Sequence, residues 1–119
     1  MAVKGIFYVM LFVSDLERSK RFYRDSLGWR LETDAPGVAG LWLGDAYLIL
    51  HEDNRPPAER IYGGGMTVEV KVDDIETERT NLEGHAVAVS GIRDQPWGER
   101  QFDFEDPDGY RWMYGQATR

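Results

Sequence analysis

A chain of 119 residues is long enough for one domain, or for two half-domains sharing a core, and buries about two-thirds of the surface its unfolded form exposes. Its 21 acidic and 14 basic residues leave a formal charge of −7, with 42% hydrophobic and 13% aromatic content; the composition is globular and lacks the basic footprint of a partner for nucleic acid or an anionic membrane. The absence of cysteine excludes disulfides, thiolate chemistry and cysteine-ligated metal centres, and with no apolar run of about 20 residues and no signal-peptide pattern the sequence reads as a cytoplasmic protein.

An alternating stretch at residues 5–13 reads as a strand and runs directly into a helix predicted over 15–27. In that helix Leu16, Phe22, Tyr23 and Leu27 form one apolar stripe, while Glu17, Arg18, Lys20, Arg21 and Arg24 face solvent. Ser14 stands where a side-chain oxygen caps the helix, Glu17 follows as its reciprocal partner, and Gly28 ends it. Extended pieces follow at 29–33, 38–43 and 46–52, with turns at Pro36-Gly37 and Gly44-Asp45. Residues 53–65 are polar and rich in Pro and Gly, so they read as a linker. Their three terminal glycines form a hinge rather than a phosphate-binding nest, for want of a Walker lysine and a strand–helix context.

From residue 66 the order repeats. A strand at 66–72 leads to a helix at 73–82 ending near Gly84, then a strand at 86–92 and a loop through Gln95-Pro96-Trp97-Gly98. Strands at 100–104 and 110–114 are joined by Asp106-Pro107-Asp108-Gly109, which suits a tight turn. Val13, Asp15, Leu16 and Glu17 recur at a fixed offset as Val72, Asp74, Ile75 and Glu76, with Asp73 standing where Ser14 does. The expected architecture is therefore α+β, a single domain over 1–119. Two βαβββ modules, 1–52 and 66–119, form a curved mixed sheet with helices on its outer face, and a homodimer protects the sheet edges.

Side chains of a strand switch faces at every residue, so alternation assigns the faces. One face carries Phe7, Val9, Leu11 and Val13, then Ala46, Leu48 and Leu50. In the second module it carries Met66, Val68, Val70 and Val72, then Phe102, Phe104, Tyr110, Trp112 and Tyr114; it is apolar and packs on the helices. The opposite face carries Tyr8, Met10, Phe12, Tyr47, Ile49 and His51, then Thr67, Glu69, Lys71, Gln101, Asp103, Arg111 and Met113. Aromatics and deformable apolar groups with sparse charges suit the wall of a small-molecule cleft. Trp42 and Trp97 lie on nearby elements and close over a flat ligand. Glu69, Lys71, Asp103 and Arg111 either orient a polar ligand or pair across strands at the rim.

The paired modules, the V-x-D-L-x-x-S-x-x-F-Y stretch at 13–23 and the DPDG at 106–109 resemble the vicinal oxygen chelate superfamily, which includes glyoxalase I, extradiol dioxygenases and the fosfomycin- and bleomycin-resistance proteins. The resemblance implies a metal held by the first and fourth strands of each module, at positions occupied here by Tyr8, Ile49, Thr67 and Met113. None is a usual nitrogen or carboxylate donor, so no metal and no other cofactor is expected. A relocated site using His51 with Glu69 or Asp103 is the alternative. The expected function is that of the bleomycin-resistance branch: metal-free sequestration of an aromatic or natural-product-like compound. Its expected contacts are Tyr8, Met10, Phe12, Trp42, Tyr47, Ile49, His51, Thr67, Glu69, Trp97, Gln101, Asp103, Arg111 and Met113. The other reading is a metal-independent enzyme of lyase, isomerase or dioxygenase-like type, with His51, Glu69 or Asp103 as acid and base.

Overall fold

The computed structural model describes residues 2–118, which divide into two compact units meeting between Ile61 and Tyr62. The first contains strand β1 (Val9–Val13), helix α1 (Leu16–Arg21) continued by a π-helical turn (Phe22–Ser26), then β2 (Arg30–Ala35), β3 (Val38–Leu43) and β4 (Ala46–Glu52). The second contains β5 (Thr67–Lys71), α2 (Ile75–Gly84), β6 (Arg93–Gln95), β7 (Glu99–Glu105) and β8 (Arg111–Ala117). Each is a βαβββ module. Its four strands are ordered β1-β4-β3-β2 in one unit and β5-β8-β7-β6 in the other, with the first strand parallel to the last and the remaining pairs antiparallel.

Both N-caps lie one residue later than the sequence suggested, and α1 and α2 start one and two residues later. Asp15, in extended conformation, accepts the Arg18 backbone N–H at 3.1 Å, and Asp74 accepts that of Thr77 at 3.2 Å. Ser14 is not the cap because its hydroxyl receives the Arg18 guanidinium at 2.9 Å. Lys20 does not face solvent. It is 8% exposed and its Nζ donates to Glu17 at 2.7 Å and to Asp34 at 2.9 Å, tying α1 to β2.

Strand β1 begins at Val9 rather than residue 5. The parallel ladder opens with Val9 opposite Leu48 although β4 itself starts at Ala46, so residues 2–8 leave the sheet before its partner strand ends. Phe7 is consequently 94% exposed instead of facing the core, and Met66, ahead of β5, is 60% exposed. The strand expected at 86–92 is also displaced. Ala86 takes a left-handed φ of 61°, and only Val89 makes an isolated bridge, to Phe104. The pairing falls to Arg93–Gln95, because the turn at 96–98 sets Arg93 opposite Gln101. The DPDG turn forms as expected: Asp106, 5% exposed, accepts the N–H groups of Asp108 and Tyr110, and Gly109 supplies a φ of 87°.

Each sheet buries one face under its helix. Leu11, Val13, Tyr23, Leu41, Leu48 and Leu50 form the first core, and Ile75, Leu82, Phe102, Phe104, Trp112 and Tyr114 the second. Full burial of such side chains contributes about 1.5–3 kcal/mol each.

Candidate ligand-binding faces

On the open face of the first sheet, Trp42 and Tyr47 stand directly opposite each other across β3 and β4. Their ring centroids are 4.6 Å apart at 55°. The Tyr47 ring lies across Gly40, where any Cβ would collide with the phenol. Polar ends are tied down: the Tyr47 hydroxyl hydrogen-bonds the Thr33 hydroxyl at 2.8 Å, and the Trp42 indole N–H donates to Glu32 at 2.9 Å. Arg30 stands 6.0 Å from the Trp42 ring centroid. The result is a braced aromatic platform whose orientation is set before any ligand arrives.

The same face continues through Ile49 to Phe12 and His51, which are paired in register with centroids 5.9 Å apart in edge-to-face contact. His51 Nδ1 lies 2.7 Å from the Glu52 carbonyl, which only accepts, so Nδ1–H donates and Nε2 is the acceptor of the neutral ring. The guanidinium of Arg55 sits 4.3 Å from the centre of the Phe12 ring. Asp53, buried, holds it there through two side-chain hydrogen bonds of 2.9 Å. Met10 is 43% and Tyr8 46% exposed, but Tyr8 precedes β1 and is not part of the sheet.

The open face of the second sheet is charged. Gln101, only 3% exposed, donates its amide to Glu69 at 2.9 Å and to Glu99 at 3.0 Å, and accepts from Gln95 at 3.1 Å. Glu69 and Glu99 converge over Gly115, where a Cβ would collide with the Glu69 carboxylate. Loss of hydration and then the neighbouring Glu99 push the Glu69 carboxyl above the usual glutamate range. The hydrogen bonds with Glu69 and Gln101 hold Glu99 below it, so Glu69 is the first of the two to take up a proton as pH falls.

Beyond this pair, Arg111 donates from Nε and Nη2 to Asp103, each at 2.7 Å, and from Nη1 to Thr67 at 3.3 Å. Arg93 donates to the other Asp103 oxygen at 3.2 Å. Burial disfavours ionisation of Asp103, but the Ser90 hydroxyl, Arg111 and Arg93 outweigh it and hold its carboxyl below the usual aspartate range. Met113 pairs with Glu69 across the ladder, Lys71 is exposed, and Trp97 projects from the β6–β7 turn at 54% exposure.

Sequence reading missed Glu99, Arg93, Glu32, Thr33 and Arg55. Glu99 was within reach: it alternates with Gln101 and Asp103, and a strand begun one residue earlier would have put it on their face.

The sequence and fold match known proteins. The family model described as Glyoxalase/Bleomycin resistance protein/Dioxygenase superfamily matches residues 5–114. The chain belongs to this superfamily. Escherichia coli (strain K12) YaeR is 31% identical over 120 residues, covering 92% of this chain and 93% of YaeR. The crystal structure of TnmS3, an antibiotic binding protein from Streptomyces sp. CB03234, is 30% identical with a TM-score of 0.83 and covers 98% of both chains. Lactoylglutathione lyase from Agrobacterium tumefaciens superposes with a TM-score of 0.77 over 99% of this chain and 97% of its own, at 22% identity, which is a likeness of fold. The superfamily's metal positions do not fit a metal here. Tyr8 is outside β1, Ile49 has no donor atom, and Thr67 and Met113 offer a neutral hydroxyl and a thioether. Among the described residues no group of three or more histidines and carboxylates is placed to hold an ion.

Proposed function

We propose that the protein binds an aromatic, natural-product-like small molecule without metal and releases it unaltered, as a sequestering protein of the cytoplasm. The Trp42–Tyr47 platform carries this reading, because a braced pair of rings offers a flat ligand large contact area at little ordering cost. The 30% identity to an antibiotic binding protein supports it. Ile49, His51 and Met10 extend the apolar surface, and His51 Nε2 accepts a hydrogen bond from the ligand. Titration of planar aromatic antibiotics against intrinsic tryptophan fluorescence tests affinity, and mass analysis of the recovered compound tests whether it is changed. Each offset aromatic contact is worth about 0.5–1.5 kcal/mol, so Trp42→Ala weakens binding roughly two- to tenfold. Unaltered affinity in Trp42→Ala would remove the platform from the reading.

The assembly that goes with this function is a homodimer. Val3, Ile6 and Phe7 are 76%, 84% and 94% exposed, in a segment that has no partner strand in its own sheet. Apolar side chains concentrated in this way mark a contact surface. A monomeric mass by sedimentation at micromolar concentration would count against it.

One observation favours a second reading, a metal-independent enzyme: Glu69 and Glu99 converge on Gln101, and Glu69, raised by burial and by its neighbour, is the carboxyl of the pair better suited to exchange a proton. A mass change in the recovered compound that Glu69→Gln abolishes would establish it.

A further inference from the structure

The second unit contains a cavity of about 420 Å³ that shares no residue with the aromatic platform. Gly64, Gly65, Met66 and Thr67 bound it on one side, and Glu105, Gly109 and Arg111 on the other. Gly63 makes the close approach possible. It takes a φ of 69°, and a side chain there would stand 2.5 Å from the Gly109 carbonyl, so only glycine lets this segment lie against the β7–β8 turn. The two residues that follow, Gly64 and Gly65, leave that side of the cavity as bare backbone.

Arg111 decides the chemistry. Three of its five N–H groups are occupied, two by Asp103 and one by Thr67, and one hydrogen on each terminal nitrogen remains. Thr67 accepts from Arg111, so its own hydroxyl hydrogen is left to donate. Asp103 is shared with Arg93, and with Glu105 opposite Arg111 two guanidinium groups meet two carboxylates, so the side chains around the cavity balance in charge. Glu105, directly across the ladder from Arg111, lines the same side of the cavity beside it.

We propose that this cavity is a seat for the carboxylate of a small ligand, bound by the two remaining guanidinium N–H groups of Arg111 and the hydroxyl of Thr67. Three donors in a charge-balanced lining match the two oxygens of a carboxylate. A phosphate dianion carries more charge than the site balances, and Glu105 and the −7 charge of the chain repel it. Glu105 then accepts from a ligand N–H or O–H beside the carboxylate, so small hydroxy or amino acids fit the seat best. The proposal stands beside the aromatic-platform reading and does not depend on it.

Nuclear magnetic resonance of the full chain tests it, following backbone amides and arginine Nε–H signals while acetate, inorganic phosphate or chloride is added at constant ionic strength. Acetate should shift Arg111 Nε–H, Thr67, Gly64 and Gly65 saturably. Hydrogen bonds to a charged group imply that Arg111→Gln weakens acetate binding by about tenfold or more. Thr67→Val, at an exposed strand start, weakens it by a smaller factor and guards against a folding defect in the arginine variant. No saturable shift with acetate, a shift that survives Arg111→Gln, or tighter binding of phosphate than of acetate would each overturn the proposal. If acetate fails while the aromatic compounds bind, the seat alone falls; if acetate binds while they do not, the platform alone falls.

Discussion

The two units share topology and register, yet their open faces have opposite chemistry. Val9 meets Leu48 and Val68 meets Trp112 at the same place in two parallel ladders, and each of those strands turns its alternate residues toward a helix-covered core. On the other face, Met10, Phe12, Trp42, Tyr47 and Ile49 make the first unit aromatic and apolar. Glu69, Lys71, Glu99, Asp103 and Arg111 make the second ionic. The buried face carries the fold and tolerates only apolar residues of similar volume. The open face is free of that constraint, so the same scaffold holds two kinds of recognition surface.

The comparison predicts that damage to the cores is alike and that damage to the faces is not. The largest effect belongs to the cores. Phe102→Ala should lower the unfolding free energy by about 3–5 kcal/mol and Leu48→Ala by about 2–5 kcal/mol. Urea denaturation reads both; a loss below 1 kcal/mol in either would deny that its sheet is held by that face.

Next come the two glycines that lie beneath side chains. Gly40→Ala drives a Cβ into the Tyr47 phenol, a rigid ring that cannot step aside without leaving Trp42, so overpacking of about 1–3 kcal/mol is expected together with weaker aromatic binding. Gly115→Ala meets the flexible end of Glu69 instead and should cost less, while separating Glu69 from Glu99. Equal destabilisation by the two substitutions, measured by thermal melting, would erase the distinction between a rigid and a flexible surface.

The smallest effect is a pH dependence peculiar to the second unit. Glu69 has its folded-state pKa raised, so its contribution to stability is fully present below the ordinary glutamate range and is lost as pH rises through the raised value. Glu99 is depressed and contributes in the opposite sense, losing its share as pH falls through its lowered value. Glutamine at position 69 cannot ionise but still donates to Glu99. Glu69→Gln should therefore raise the melting temperature at pH 7–8 and leave it unchanged near pH 4, where Glu69 already holds its proton. A gain of the same size at both pH values would show that the two carboxyls do not interact. In the first unit no acidic pair of this kind lies among the described face residues, and Met10→Gln is expected to leave the pH profile unaltered.

Some of this molecule follows from local sequence and some does not. Alternation and turn chemistry were enough to bound β3 and β4, to send Leu48, Leu50, Phe102 and Phe104 inward, and to place the DPDG turn, because a strand's period of two and the conformational demands of glycine are properties of neighbouring residues. They also made the superfamily legible, through the strand–helix motif at residues 13–23 and its copy. Start points and partners were decided elsewhere. Phe7 alternates correctly for a core residue, but the chain leaves the sheet before Val9, so it stands in solvent. Lys20 looks like a surface residue until Asp34 arrives from β2 to hold it. Tyr47 and Trp42 were read as separate aromatics, and the register between β3 and β4 makes them a pair. Gln101 reaches Glu69 across 32 residues of chain because β8 lies between their strands and presents a glycine at the crossing point. A local pattern chooses the face of a strand; only the register between distant strands chooses what each side chain meets there.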